Sequence, residues 1–204
     1  MTTRSPGQRA GLTREALLAG AGDLLREEGL ESLTMRALGT RLGVTPNALY
    51  SHVAGKDALI DHLLDQTLIE VRQPPVDAKD PIDGLQTVMA STYRVLLTHP
   101  DLVPLYLARQ GAHGPNAHRL GAIITVLLAE AGVQGHAQQE ALRVLIGYTI
   151  GFAAFAVRPE SEGDVDGQSS GSRPRANVML LNFTAGLQWL LTGIVRDSST
   201  PDRR

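Results

Sequence analysis

Residues 33–59 read LTMRALGTRLGVTPNALYSHVAGKDAL, and between Glu31 and Asp57 there is no acid, although the chain carries 21 of them. Met35, Leu38 and Leu42 recur at helical spacing and share one face. Thr34 stands where a helix needs an N-cap, and Gly43 where it must stop. Thr45 then caps a third helix with Pro46 at its first position, where the missing N–H costs nothing. Two helices joined through a glycine, the second short and freshly capped, form a helix-turn-helix.

The two sides of this hairpin differ in kind. Met35, Leu38, Leu42, Val44, Leu49 and Val53 face inward, to hold the helices to each other and to a first helix. Thr34, Arg36, Arg41, Thr45, Asn47, Tyr50, Ser51, His52 and Lys56 face outward. Three cations and no anion lie in residues 32–56. A surface that meets phosphates needs that balance, because each neutralised phosphate releases counterions and a carboxylate would repel. The free N–H groups at the start of the third helix also favour an anion. Asn47, Ala48 and Ser51 are short enough for a helix to sit deep in a major groove. There asparagine reads adenine, and alanine or a threonine methyl meets the thymine methyl. Any helical hairpin in a bundle gives the same periodicity, so the acid-free register and the residue types decide for DNA.

Around this window the chain reads as all-α. Residues 13–28 place Leu17, Ala21, Leu24 and Leu25 on one stripe, which Gly29 ends. A linking helix spans 56–72. The stretch 73–81, QPPVDAKDP, breaks the pattern and divides a DNA-binding domain (1–55, with the linking helix) from a second domain over 81–195. In that domain helices are expected at 81–99, from 101, at 115–131, 137–157 and 176–195. Residues 158–175, rich in Gly, Ser and acids, read as a mobile loop, and 196–204 as a tail. Arg4, Arg9 and Arg14 form an N-terminal arm suited to a DNA backbone or minor groove, or else a disordered tail.

Composition narrows the chemistry. The 204 residues suffice for a substantial core and contain no cysteine, which excludes disulfides and thiolate catalysis. The N-terminus has no apolar run that would make a secretory signal, so a cytoplasmic protein is expected. The six histidines form no metal-binding pair at helical spacing, and neither a nucleophile elbow nor a phosphate-binding glycine loop occurs. No enzyme, cofactor or metal is expected.

The stretch from Leu12 to about Ile69 resembles the N-terminal domain of the tetracycline-repressor (TetR) family of transcriptional regulators, above all in GVTPNALYSHV followed by GKDAL. The resemblance implies a homodimer whose third helices enter successive major grooves of a near-palindromic double-stranded operator. It implies that Thr34, Arg36, Tyr50 and Lys56 hold the phosphate backbone, while Pro46, Asn47, Ala48 and Ser51 face the bases. One departure is Gly39, where the motif usually has alanine. The second half distantly resembles the effector domain of the tetracycline repressors. There Tyr106 stands at the place of a metal-binding histidine, and alanine and phenylalanine replace a glutamate, which speaks against a magnesium–tetracycline mode.

The second domain offers candidates for a dimer and for a pocket. Residues 144–157 and 178–195 are apolar nearly all round and must be covered on every side. A second subunit pairing through Gly147, Gly151, Phe183, Leu187, Leu190 and Leu191 would cover them. A membrane span over 178–195 is the rival, opposed by Asn182, Thr184, Gln188 and Thr192. Met89, Tyr93, Tyr106, His113, Tyr148, Phe152 and Phe155 are the candidates to line a pocket for a small apolar or amphipathic effector. The expectation is a ligand-responsive, DNA-binding repressor. The alternatives are a DNA-binding dimer without an effector, and a helical binding protein or enzyme with an incidental helix-turn-helix.

Overall fold

The computed structural model describes residues 12–74, 80–157 and 172–198, with side chains from 178 onward in the last segment. The chain divides into two compact units, Met1–Leu63 and Leu64–Arg204. Among the described residues the regular structure is helical: α1 (Arg14–Glu28), α2 (Met35–Leu42), α3 (Pro46–Tyr50), α4 (Lys56–Thr67), α5 (Pro81–Thr98), α6 (Val103–Ala108), α7 (Pro115–Glu130), α8 (Gly135–Ala156) and α9 (Ser172–Ser198), with 3-10 turns at Leu68–Glu70 and Pro100–Leu102.

In the first unit, caps fix the helix starts. The Thr13 hydroxyl accepts the Ala16 N–H at 3.1 Å, and the Thr34 hydroxyl accepts that of Ala37 at 3.1 Å. Gly43, at φ 67°, closes α2 in the left-handed conformation that a side chain would oppose. Leu17, Leu24, Leu33, Leu38, Leu49 and Leu59 are buried together, each worth roughly 1.5–3 kcal/mol of apolar burial. Gly20 lets α1 approach α2 closely, since a Cβ there would lie 2.8 Å from Leu42 Cδ2.

The second unit is built around α5 and α8, which pack on each other; α7 and α9 pack on both, and α6 on α8. Tyr93 lies flat on Phe183, with ring centroids 4.1 Å apart and planes at 5°, and Phe152 and Tyr148 pack around them. Such pairs contribute about 0.5–1.5 kcal/mol beyond their buried area. Among the described residues the Tyr93 hydroxyl has no hydrogen-bond partner in this apolar setting.

Several sequence expectations change. The linking helix does not run to residue 72; it tightens into the 3-10 turn Leu68–Glu70. Helix α9 begins at Ser172, so the last four residues of the expected 158–175 loop are helical, and it continues to Ser198. The rest of that loop, the end of the tail and the N-terminal arm up to residue 11 lie outside the described residues. Gly147 is exposed and Gly151 half-buried. Phe183, Leu187 and Leu191 are 0% exposed on this chain alone. They form the i, i+4, i+8 stripe by which α9 packs on its own core, so they are not a surface awaiting a partner. The uncovered apolar face of α9 consists of Val178, Leu181 and Trp189, which is 77% exposed, with Leu190 half-buried beside it. By length and composition alone, Val178–Ser198 could cross a membrane.

Candidate functional site

The outer surface of the first unit is the first site. Thr45, Pro46, Asn47, Tyr50 and Ser51 are exposed on and beside α3, and Ala48 and His52 are half-buried. Thr45 occupies the N-cap position, yet its hydroxyl accepts no bond from the helix, and the residue is exposed to an incoming group. Leu49 and Val53 pin α3 from beneath. Thr34 and Arg36 are exposed at the start of α2. The Lys56 ammonium donates to the Leu30 carbonyl at 3.2 Å, which holds it at the start of α4.

One expected cation is neutralised. The Arg41 guanidinium grips Glu27 of α1 through two hydrogen bonds of 2.8 Å. That bond holds the Glu27 carboxyl below its ordinary range and raises Arg41. The acid absent from the window is therefore supplied across space by the supporting helix. Of the three cations counted in the sequence, Arg36 and Lys56 have no such ion pair among the described residues.

The second site is a cavity of about 430 Å³ in the second unit, between α5, α7, α8 and the segment that follows α6. Met89, Leu96, Leu120, Ile124, Ile146 and Ile150 are among the apolar residues of its wall. Tyr106 lies deep in it, 2% exposed, and its hydroxyl donates to the Leu64 carbonyl. Burial first of all, reinforced by the charges of Asp65 and Glu70 and opposed by a hydrogen bond with Thr67, pushes this phenol far above its ordinary pKa, so it stays neutral. Gln110, His113 and His118 occupy the exposed mouth. The His113 ring Nε2 donates to the Arg109 carbonyl at 3.2 Å.

A buried carboxylate fixes one wall. Helix α7 starts after Gly114, which has no side chain to cap it. Asp65, 5% exposed, supplies the cap instead: it accepts from Ala117 N at 2.9 Å, Asn116 N at 3.3 Å and Asn116 Nδ2 at 3.0 Å. Among the described residues there is no group of three His, Asp or Glu that could hold a metal ion.

Of the residues expected in the pocket, Met89, Tyr106 and His113 line this cavity. Tyr93, Tyr148, Phe152 and Phe155 do not. Tyr93 is sealed against Phe183. Tyr148 and Phe152 lie along an open groove of about 860 Å³ on α9, and Phe155 is 71% exposed. The aromatic residues of α8 form the stripe 148, 152, 155, whereas its cavity wall is the stripe 142, 146, 149. Thr92, Gln110, His118 and Thr149 also line the cavity and are not among the residues expected there. Leu142, Ile146 and Thr149 at i, i+4, i+7 were a legible signal, but only packing tells which stripe meets a void.

Comparison with known proteins bears on both sites. The family described as bacterial regulatory proteins, tetR family, matches residues 17–63. A tetracycline repressor protein of class C from Escherichia coli is 32% identical over 157 residues, covering 76% of this chain and 70% of that protein. The chain belongs to the TetR family. A transcriptional regulator of the helix-turn-helix type from Saccharopolyspora erythraea is 37% identical over 121 residues, or 59% of this chain; the match spans about half, 51%, of that relative's length. A solved TetR variant from Acinetobacter baumannii in complex with minocycline superposes with a TM-score of 0.73 at 26% identity, covering 93% of this chain and 99% of that one. This TetR-family chain is thus a helix-turn-helix transcriptional regulator and not an enzyme.

Proposed function

We propose that this regulator is a homodimer that binds a near-palindromic operator through α3, acts as a repressor in the cytoplasm, and is released by a small apolar or amphipathic effector in the α5–α8 cavity. The observation that carries the DNA reading is the exposed row Thr45, Pro46, Asn47, Tyr50 and Ser51 on a short helix pinned by Leu49, in a window without acids. Thr34, Arg36, Tyr50 and Lys56 hold phosphates; Pro46, Asn47, Ala48 and Ser51 face the bases, with Thr45 and His52 at the edges. Two recognition helices about 34–36 Å apart match successive major grooves.

The dimer reading rests on the uncovered apolar face. Val178, Leu181 and Trp189 of α9 and Phe155 of α8 are exposed, together with an apolar groove lined by Ala185, Leu190 and Ile194. A second copy applied by a two-fold axis covers the same patch on both chains. The effector reading rests on the largely apolar cavity with its exposed mouth. The solved relative from Acinetobacter baumannii holds minocycline. A differential affinity of about 1–3 kcal/mol between two states suffices to change operator binding roughly 5–150-fold.

The test is fluorescence anisotropy with DNA from the region upstream of the regulator's own gene, at several salt concentrations. Arg36→Ala should weaken binding to every sequence and flatten the dependence of log Kd on log salt by about 0.9 per subunit. Asn47→Ala should change the base preference. Unchanged binding in both variants would remove α2 and α3 from the interface.

A further inference from the structure

We infer that the cavity takes an uncharged, mostly apolar ligand that donates a hydrogen bond from its buried end and presents its acceptor groups at the mouth. The inference rests on the reading of the cavity as an effector site and specifies what fits there.

The hydrogen-bond bookkeeping of the wall leads to this. None of the residues that line the cavity is Asp, Glu, Lys or Arg. Three hydroxyls line its interior, and each has already given its proton away. Thr92 donates to the Val88 carbonyl at 2.9 Å, Thr149 to the Leu145 carbonyl at 2.9 Å, and Tyr106 to the Leu64 carbonyl. What a hydroxyl keeps after donating is its lone pairs. The Tyr106 oxygen is also hydrogen-bonded with Thr67, so the lone pairs left to a guest are those of Thr92 and Thr149, and the interior offers no uncommitted side-chain hydroxyl proton. An acceptor-only group such as a carboxylate would be stripped of water and left facing lone pairs.

The charge lying behind the wall adds to this. The Asp65 carboxylate is held behind Ala117 and Gly114 and reaches Tyr106 electrostatically. It repels an anion, while its oxygens are occupied by the start of α7 and do not pair with a cation. An isolated charge of either sign would be buried without a partner, at a cost of several kcal/mol. The mouth is the reverse: the Gln110 amide and the His118 ring bring N–H donors to the exposed end. An apolar body with a hydroxyl or N–H at one end and carbonyl or ether oxygens at the other satisfies both ends. No metal ion is needed to hold it.

The experiment uses the full chain at pH 8 and four probes on one tricyclic frame: 9-anthracenemethanol, 9-methylanthracene, 9-anthracenecarboxylate and 9-anthracenylmethylammonium. Binding is read from probe fluorescence, with and without EDTA. The alcohol should bind roughly three- to tenfold more tightly than the hydrocarbon, the scale of one hydrogen bond. The carboxylate and the ammonium should bind at least roughly thirtyfold more weakly than the alcohol, and EDTA should change nothing. In Thr92→Val/Thr149→Val the alcohol should fall to the affinity of the hydrocarbon. Both threonines bond only to their own helices, so valine keeps shape and fold, which circular dichroism verifies. An ion that binds as tightly as the alcohol, a requirement for divalent metal, or an alcohol preference that survives the double substitution overturns the ligand class while leaving an effector cavity in place. Failure of all four probes overturns the cavity reading and this inference with it.

Discussion

Asp65 gives the sharpest test of how the second unit is held together. Asp65→Ala removes the side chain that caps α7 and leaves the N–H groups of Asn116 and Ala117 without their acceptor. Loss of a cap costs about 0.5–2 kcal/mol, and a part-buried donor left unpaired costs about 1–3 kcal/mol. Water entering the vacated space recovers some of this, so the expected loss is about 2–4 kcal/mol. Asp65→Asn keeps the shape but turns one oxygen into a donor that faces other donors, and should lose about half as much. Urea unfolding followed by circular dichroism at fixed protein concentration measures both, as a midpoint lowered by roughly 1–2 M for the alanine variant. Amide exchange localises the effect, since Asn116 and Ala117 should lose protection before the middle of α7 does. Gly114 completes the cycle. Its φ of −171° suits any residue, so the glycine is there for space: a Cβ would lie 2.6 Å from Asp65 Oδ1. Gly114→Ala should therefore destabilise the wild type and cost less, though still something, once residue 65 is alanine, because the carboxyl group is gone while the Cβ of residue 65 stays 2.8 Å from the added one. A loss below about 0.5 kcal/mol in Asp65→Ala, or strictly additive effects in the double variant, would refute this reasoning.

Glu27→Gln should release Arg41 and steepen the salt dependence of DNA binding by up to about 0.9 per subunit in the log–log slope, measured by anisotropy. The Glu27 carboxyl is depressed in the folded chain, so its ion pair contributes above the ordinary carboxylate range and is lost as pH falls through the lowered value; the acid titration of stability should lose that component in Glu27→Gln. Gly39→Ala gains about 1 kcal/mol in helix propensity but sets a Cβ 2.9 Å from the Val44 carbonyl, a backbone clash of about 1–3 kcal/mol. A net loss in thermal unfolding is expected, together with weaker DNA binding, because Val44 leads directly into α3. Leu181→Asp with Trp189→Asp should yield a folded monomer in sedimentation equilibrium, since both side chains are exposed on the single chain.

What the sequence determined by itself is local. Thr34 and Thr13 announce helix starts because a hydroxyl two or three residues before an N–H can reach it without help from the rest of the chain. Gly43 announces a stop because only the backbone geometry of that turn is at issue. The acid-free window was likewise legible, because charge is a property of residue type. Tertiary structure decided everything that depends on which surfaces meet. It brought Glu27 to Arg41 across 14 positions and so lowered the charge that the window advertised. It turned Phe183, Leu187 and Leu191 inward and Trp189 outward on a helix whose composition is apolar on every side. It left the void against Thr149 and Ile146 rather than against Tyr148 and Phe152, one helical face away. Periodicity fixes which residues share a stripe; the partner of each stripe is chosen by packing among helices distant in sequence, and no single stretch encodes that choice.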